Sequence, residues 1–464
     1  MRALSWLLAT VAGVSLACST SGPPTSSGDG DTVFYFNGRV VRGDESPAID
    51  HAAFVVERGI MTRLAVQGGL EAPRGATAID LAGRTVMPLL HTLHAHVGYL
   101  DGRTFAAENY SRDSVLADLQ RHAYYGVGSV AVLGTDVGDI AFDIRDAQIR
   151  GDLPGYARLV TAGRGITTPG GWPTVIPGLK DAPRQVATED EARAAVQELF
   201  ERKADLVKIW VDDNLGTIPK IPLPIAAAAI DEAHRRGLKA VAHVFYLDDA
   251  RALVEARIDG LMHSIRDRDV DDELIAMMRE AGTYYVPTLV AHETAFSYAD
   301  APPWVGEPAM RETVPESMIA WLTSEEFLAP LRQNPALDGV RRQYAVAERN
   351  VKALHDAGVP IGLGTDSGTA NRFPGYVEHR ELELLVRAGL SPTQAITAAT
   401  RNGAAFLGIE RSGTLGASKR ADFIVVDGDP LADIAATRRI VAVSHAGHYI
   451  DRDGMAIRTT LERP

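Results

Sequence analysis

The stretch Pro88 to His96, PLLHTLHAH, holds three of the chain's 13 histidines, directly after the apolar run Thr85-Val86-Met87. His94 and His96 are two apart, so on a strand their side chains leave from one face. Further polar residues interrupt other apolar runs: Lys208 in LVKIWV, His243 in KAVAHVF, His263 in GLMHSI and Asp366 in GLGTDSG. Several imidazoles and a carboxylate meeting at one point would make a pocket for a divalent metal. Lys208 is the unusual member. An ammonium among Val207, Ile209 and Trp210 is costly unless paired, and burial lowers a lysine pKa. A neutral amine can add CO₂ to form a carbamate, an anion whose two oxygens can bridge two metals; a salt-bridged structural lysine is the plainer alternative. A lone strand histidine is more often a hydrogen-bonded structural residue, so the chemistry depends on whether these residues converge.

The elements that must position them follow from patterning. From Thr32 to about Met87, short strands alternate with Gly-centred turns, and similar strands recur in ADFIVVDGDP (421–430) and RIVAVSHAGHYID (439–451). Segments 32–85 and 415–464 are therefore expected to build one small β domain, a β-sandwich. Residues 86–414 alternate strand-like runs with helical patterns such as 190–203 and 229–237. The runs fall at 127–136, 158–166, 204–213, 239–245, 260–265, 283–291 and 360–367. With the strand ending in His96 they number eight, which predicts an α/β chain with a (β/α)8 TIM barrel. An open doubly wound sheet is disfavoured because no G-x-G-x-x-G follows a strand. The stretch from about Ala301 to Arg349 reads as an extended loop after strand seven. In a parallel barrel the strands' C-terminal ends form the active site, where the polar residues above fall.

The N-terminus is of another kind. Arg2 precedes a largely apolar run that closes at Cys18, the one cysteine in the chain, which therefore cannot form an intrachain disulfide. Residues 1–18 read as an export signal. Leu16-Ala17-Cys18 followed by Ser19 resembles the lipobox of bacterial lipoproteins, with Ser15 departing from the usual aliphatic residue. Cys18 is then the expected lipidation site, and the Ser/Gly/Pro-rich residues 19–31 a flexible linker. Location on the periplasmic side of a bacterial membrane through a lipid anchor, or secretion, follows as an expectation. Over 464 residues the net charge is −13, which argues against nucleic acid or an anionic membrane face as the main partner; a small-molecule substrate is the expected partner. A homo-oligomer is compatible with this composition.

The set HAH, Lys208, His243, His263 and Asp366 resembles that of the amidohydrolase superfamily of metal-dependent hydrolases. TRNGAAFLGIERSGTLGASKRADFIVVDGDPL (400–431) is similar to the C-terminal signature of its imidazolonepropionase-like and prolidase-like members. The resemblance covers roughly Thr32 to Arg458. It implies that His94, His96 and Asp366 hold a first metal and that His243 and His263 hold a second. Carboxylated Lys208 and a hydroxide would bridge them, and Asp366 would carry the catalytic proton. Two Zn²⁺ are implied, with Fe²⁺ or Mn²⁺ also suited to these ligands, and the reaction would be hydrolysis of an amide or other C–N bond in an N-acyl amino acid, dipeptide or cyclic amide.

Departures from the family pattern are Leu89 and Thr92 before the metal pair, and Gly170-Gly171-Trp172 where prolidase-like members carry GGH. The tryptophan counts against an Xaa-Pro dipeptidase and points to a more apolar or aromatic substrate. Trp172, Tyr246 and Arg164 are candidate substrate contacts, with His292 and His379 as weaker candidates for the pocket lining. His91 faces away from His94 and reads as structural; His122, His234 and His355 fall in helical patterns, and His51, His445 and His448 in the small sheet. Two other readings stay open: a mononuclear zinc enzyme with unmodified Lys208, and a non-catalytic solute-binding lipoprotein.

Overall fold

The computed structural model describes residues 32–66, 68–445 and 447–452. Residues 1–31, where an export signal, a linker and a lipidated Cys18 are expected, lie outside the described residues.

Strands from the two ends of the chain form one nine-stranded sheet. Its order runs Lys419–Arg420, Ile60–Val66, Ile49–Glu57, Thr32–Val40, Thr85–Pro88, Phe423–Val426, Ile440–His445, His448–Ile450, with Thr77–Asp80 pairing to Thr32–Val40. Alternating aromatic and β-branched residues give this sheet an apolar face of Val33, Tyr35, Phe54, Val56, Val86, Phe423 and Val425. The sheet curls strongly. Phe54 and Phe423 lie three strands apart in the order, yet their ring centroids approach to 5.7 Å, and Tyr35 stacks on Phe54 at 4.5 Å.

In the middle region, largely buried parallel strands alternate with helices, the pattern of an α/β layer covered on the outside. One sheet joins Arg158–Thr161, Val127–Val132 and Leu90–Ala95. A second runs Arg184–Gln185, Ile166–Thr167, Leu206–Trp210, Lys239–His243, Gly260–Met262, Tyr284–Val286. Among the described residues, strand pairing therefore does not draw one closed ring. The two sheets approach at one end, where the Asp205 N–H donates to the Thr161 carbonyl at 2.9 Å.

At the other end, the expected eighth strand is not a regular strand. Residues 360–367 make isolated bridges, Ile361 to Tyr285 and Ser367 to Ala95, and thereby link the last strand of one sheet to the first of the other. The backbone explains the interruption: Asp366 adopts φ +59°, in the left-handed region that no extended strand accommodates.

The stretch 301–349, expected as a loop, is largely helical over Pro308–Arg311, Glu316–Leu322, Glu325–Arg332 and the start of Leu337–Asp356. Met310, Met318, Ile319, Leu322, Leu328 and Tyr344 face inward and supply the apolar stripe that holds these helices to the core. Ser324 caps one of them by accepting the Phe327 N–H.

Candidate metal centre

His94 lies in the strand Leu90–Ala95 and His96 just beyond it. Their backbones are pinned by the segment that carries Asp366. The His94 carbonyl accepts the Thr365 and Asp366 N–H groups at 3.1 and 2.9 Å, and the His96 N–H donates to the Ser367 carbonyl at 2.7 Å. This approach requires glycine at 368: with φ at +82°, an added Cβ would sit 1.6 Å from the His96 carbonyl oxygen. Asp366 Oδ1 ends 2.9 Å from His96 Nε2 and 3.4 Å from His94 Nε2. One ligand atom from each of these residues lies within 4.8 Å of the other two, a group able to hold a metal ion.

The remaining histidines join this group. The ring centroids of His94 and His263 are 4.5 Å apart, and those of His263 and His243 are 4.3 Å apart. Lys208 is completely buried, and its charge is felt by His94, His243 and His263, while the Asp366 carboxylate acts on it in turn. Burial pushes the Lys208 amine down to about 7, against a partial pull upward from Asp366. Burial, reinforced by Lys208, holds His94 well below the usual imidazole range, and burial with the neighbouring His243 does the same for His263. For Asp366, burial pushes upward but is outweighed by the Arg372 guanidinium and by His96 and His94, which keep it well below the usual carboxylate range.

Each outer imidazole has one nitrogen fixed by a side chain outside the cluster. His96 Nδ1 pairs with Thr135 Oγ1 at 2.9 Å, His263 Nδ1 with Thr288 Oγ1 at 2.7 Å, and His243 Nε2 with Asp212 Oδ2 at 2.6 Å. Partners of this kind set the tautomer and aim of a metal-bound imidazole. At the centre of the cluster, neither nitrogen of His94 nor the Lys208 Nζ has a hydrogen-bond partner among the described residues. Buried polar atoms are ordinarily satisfied, so these orphans fit a cation and a modified lysine. Backbone strain also concentrates here. His263 sits at φ +73° and Asp366 at +59°, each costing about 1–3 kcal/mol that the surrounding structure must offset.

A cavity of about 220 Å³ opens onto the cluster, lined by His96, His243, His263, Asp366 and Arg372 on one side and by Phe105, Trp172 and Trp210 on the other. Trp172 thus lines the cavity as expected, its ring 6.2 Å from that of His243. Two other expected contacts are corrected. Arg164 does not reach the cavity, because its Nε and Nη2 donate to the carbonyls of Ala182, Asp181 and Pro183 at 3.0 Å and brace that loop. Tyr246 is drawn away by Asp213, to which its hydroxyl donates at 2.8 Å. His292 is half-buried beside His263 and accepts the Ser264 N–H, whereas His379 is buried against the Tyr125 carbonyl. Neither belongs to the lining. His91 is structural, held by Ser129 at 2.7 Å.

Sequence reading missed Asp212 and Arg372. Arg372 Nη2 donates to Asp366 Oδ2 at 3.0 Å, leaving Oδ1 to face the histidines. The signals were faint: Asp212 closes the same strand-like run as Lys208, and Arg372 follows the GTDSG turn.

A family model described as the amidohydrolase family matches residues 94–447. An uncharacterized protein of Mycobacterium tuberculosis is 30% identical over 336 residues, 70% of this chain and 75% of that one. The imidazolonepropionase of Deinococcus radiodurans is 32% identical over 122 residues, 26% of this chain and 29% of that one. In fold, the chain resembles an Xaa-Pro dipeptidase crystallised with methionine (TM-score 0.72, 23% identity, 90% of this chain and 99% of that one). It also resembles the ochratoxinase of A. niger (TM-score 0.71, 20% identity, 93% of this chain and 98% of that one). The family generally binds a divalent metal, and the His94–His96–Asp366 group offers a place for one. The chain belongs to the amidohydrolase family and is a hydrolase acting on carbon–nitrogen bonds.

Proposed function

We propose that the chain hydrolyses an amide or related C–N bond at a binuclear metal centre. His94, His96 and Asp366 would hold one cation, His243 and His263 the other, and Lys208, carboxylated by CO₂, would bridge them. The observation that carries this reading is the orphaned pair at the centre, His94 and Lys208, whose buried nitrogens have no hydrogen-bond partner among the described residues. Zn²⁺ suits these ligands, as do Fe²⁺ and Mn²⁺. Bound divalent cations supply Lewis acidity, lowering the pKa of water and polarising the scissile carbonyl.

The chain's own groups do the rest. Arg372 keeps the Asp366 carboxylate ionised and fixes Oδ2, so the carboxylate can accept the proton of the attacking water and return it to the leaving nitrogen. Asp212, Thr135 and Thr288 each hold one nitrogen of His243, His96 and His263 and so orient these rings. Phe105, Trp172 and Trp210 present an apolar wall to the substrate on the side opposite these polar groups.

As architecture, we propose a (β/α)8 barrel over 86–414, closed by the bridging segment 360–367, with a β-sandwich from 32–85 and 415–464. Residues 1–18 are proposed as an export signal with lipid on Cys18, followed by the 19–31 linker; loss of radiolabelled palmitate incorporation in Cys18→Ser tests this. For the activity itself, the test is a screen of N-acyl amino acids, dipeptides and cyclic amides on metal-reconstituted protein. Turnover abolished by Lys208→Ala and Asp366→Ala supports the reading. Absence of turnover throughout the screen counts against these amide classes as substrates and against the binuclear amide-hydrolysis reading.

A further inference from the structure

We infer that the cavity selects neutral amides bearing one aromatic ring and discriminates against those carrying a carboxylate; the inference rests on the hydrolase reading above. Two observations carry it. The first is the wall facing the metal ligands. Trp172, Ile176 and Leu179 come from the loop between Ile166–Thr167 and Arg184–Gln185, Phe105 from the hairpin Leu100–Asp101/Thr104–Phe105, and Trp210 from the Lys208 strand.

This wall is held together. Leu179 and Ala182 pack with Tyr99, and with Phe105, Tyr110 and Ile176 around them. Gly178 lets the loop touch the hairpin, since a Cβ there would lie 3.0 Å from both Ala106 Cα and the Phe105 carbonyl oxygen. The aromatic slot is thus set by packing between two loops. Its volume of about 220 Å³ exceeds the roughly 150 Å³ of an apolar cavity that takes up benzene. A single ring fits against this wall.

The second observation concerns charge. Apart from the histidines, Arg372 is the one cationic side chain in the lining, and all three of its nitrogens have acceptors within this chain. Nη2 donates to Asp366 Oδ2 at 3.0 Å, Nε to Thr369 Oγ1 at 2.6 Å and to the Asp366 carbonyl at 3.1 Å, and Nη1 to Thr294 Oγ1 at 3.4 Å. Arg164, the other arginine near this loop, is held by three backbone carbonyls. A substrate carboxylate entering the aromatic slot would lose its hydration and meet in exchange only a guanidinium whose charge is already paired with Asp366, which is unfavourable.

The test compares matched pairs on metal-loaded protein: N-benzoylglycinamide against N-benzoylglycine, and acetanilide against 4-acetamidobenzoate. The neutral member is expected to have the higher kcat/KM by roughly 100-fold, the size of effect that an unpaired buried charge produces. Calorimetric titration of benzamide and of acetamide supplies a readout independent of turnover. Trp172→Ala is expected to weaken benzamide roughly tenfold and to leave acetamide unchanged. Equal or better turnover of the carboxylated members, or benzamide binding indifferent to Trp172→Ala, overturns the inference. Trp172-dependent benzamide binding with no hydrolysis of any amide leaves the slot intact and refutes the hydrolase reading instead.

Discussion

Lys208 offers a perturbation whose size follows from its surroundings. In the metal-free protein, burial holds the amine near 7 against an ordinary 10.5. As pH falls below 10.5 the unfolded chain takes up a proton, while the folded chain does not until about 7. Stability therefore falls with decreasing pH across that window, by about 1.4 kcal/mol per pH unit, and levels off below it. At pH 7 the accumulated cost is about 4 kcal/mol, a large share of a typical folding free energy. Lys208→Met keeps the length of the side chain and removes the titration. In chelator-stripped samples unfolded with urea at pH 7 and at pH 10, Lys208→Met should gain on the wild type by about 4 kcal/mol at the lower pH relative to the higher one. Metal-loaded samples should reverse the order, because the variant loses the bridging ligand. If the stability difference between wild type and variant is the same at both pH values without metal, Lys208 is not a strained buried amine and the carbamate reading loses its physical basis.

Other consequences are smaller in scope. Asp366→Asn should lower kcat by about 10²- to 10⁴-fold, the range for loss of a positioned proton carrier, with an unchanged circular-dichroism spectrum; wild-type-like turnover would remove Asp366 from the chemistry. Asp212→Asn should weaken metal retention about 10- to 100-fold by releasing His243 Nε2, read by competition with a chromophoric chelator. His91 and His379 are each held down to about 4 by burial. The unfolded chain protonates them from 6.5 downward, so each removes about 3 kcal/mol of stability between pH 6.5 and 4. His91→Gln should flatten that slope in urea titrations, and an unaltered slope would contradict the assignment.

The polar cluster was legible because each member violates the local pattern: a histidine, lysine or aspartate stands where apolar strands end, and burial of such groups needs a reason. Convergence of His94, His96 and Asp366 was readable from strand order alone. The supporting contacts were not. Asp212 touches His243 across neighbouring strands, and Arg372 turns back six residues onto Asp366, relations fixed by three-dimensional geometry that no spacing in the sequence encodes. Arg164 was misjudged for the same reason: its position near a strand end suggested the pocket, but three carbonyls of its own loop claim the guanidinium. The helices within 301–349 were hidden by prolines that read as breaks, although Pro308 and Pro315 stand at helix starts, where a missing N–H costs nothing. The segment 360–367 has a strand's composition, yet the left-handed Asp366 leaves it only isolated bridges.

On the proposed reading, six side chains from distant parts of the chain share one pair of cations. Anomalous diffraction from crystals of metal-reconstituted, bicarbonate-treated protein tests it directly. The expected map has two peaks, one among His94, His96 and Asp366 and one between His243 and His263, with extra density extending from Lys208 Nζ toward both. A single peak with a bare Lys208 amine would contradict the binuclear account, and no peak near His94 would contradict the metal centre altogether.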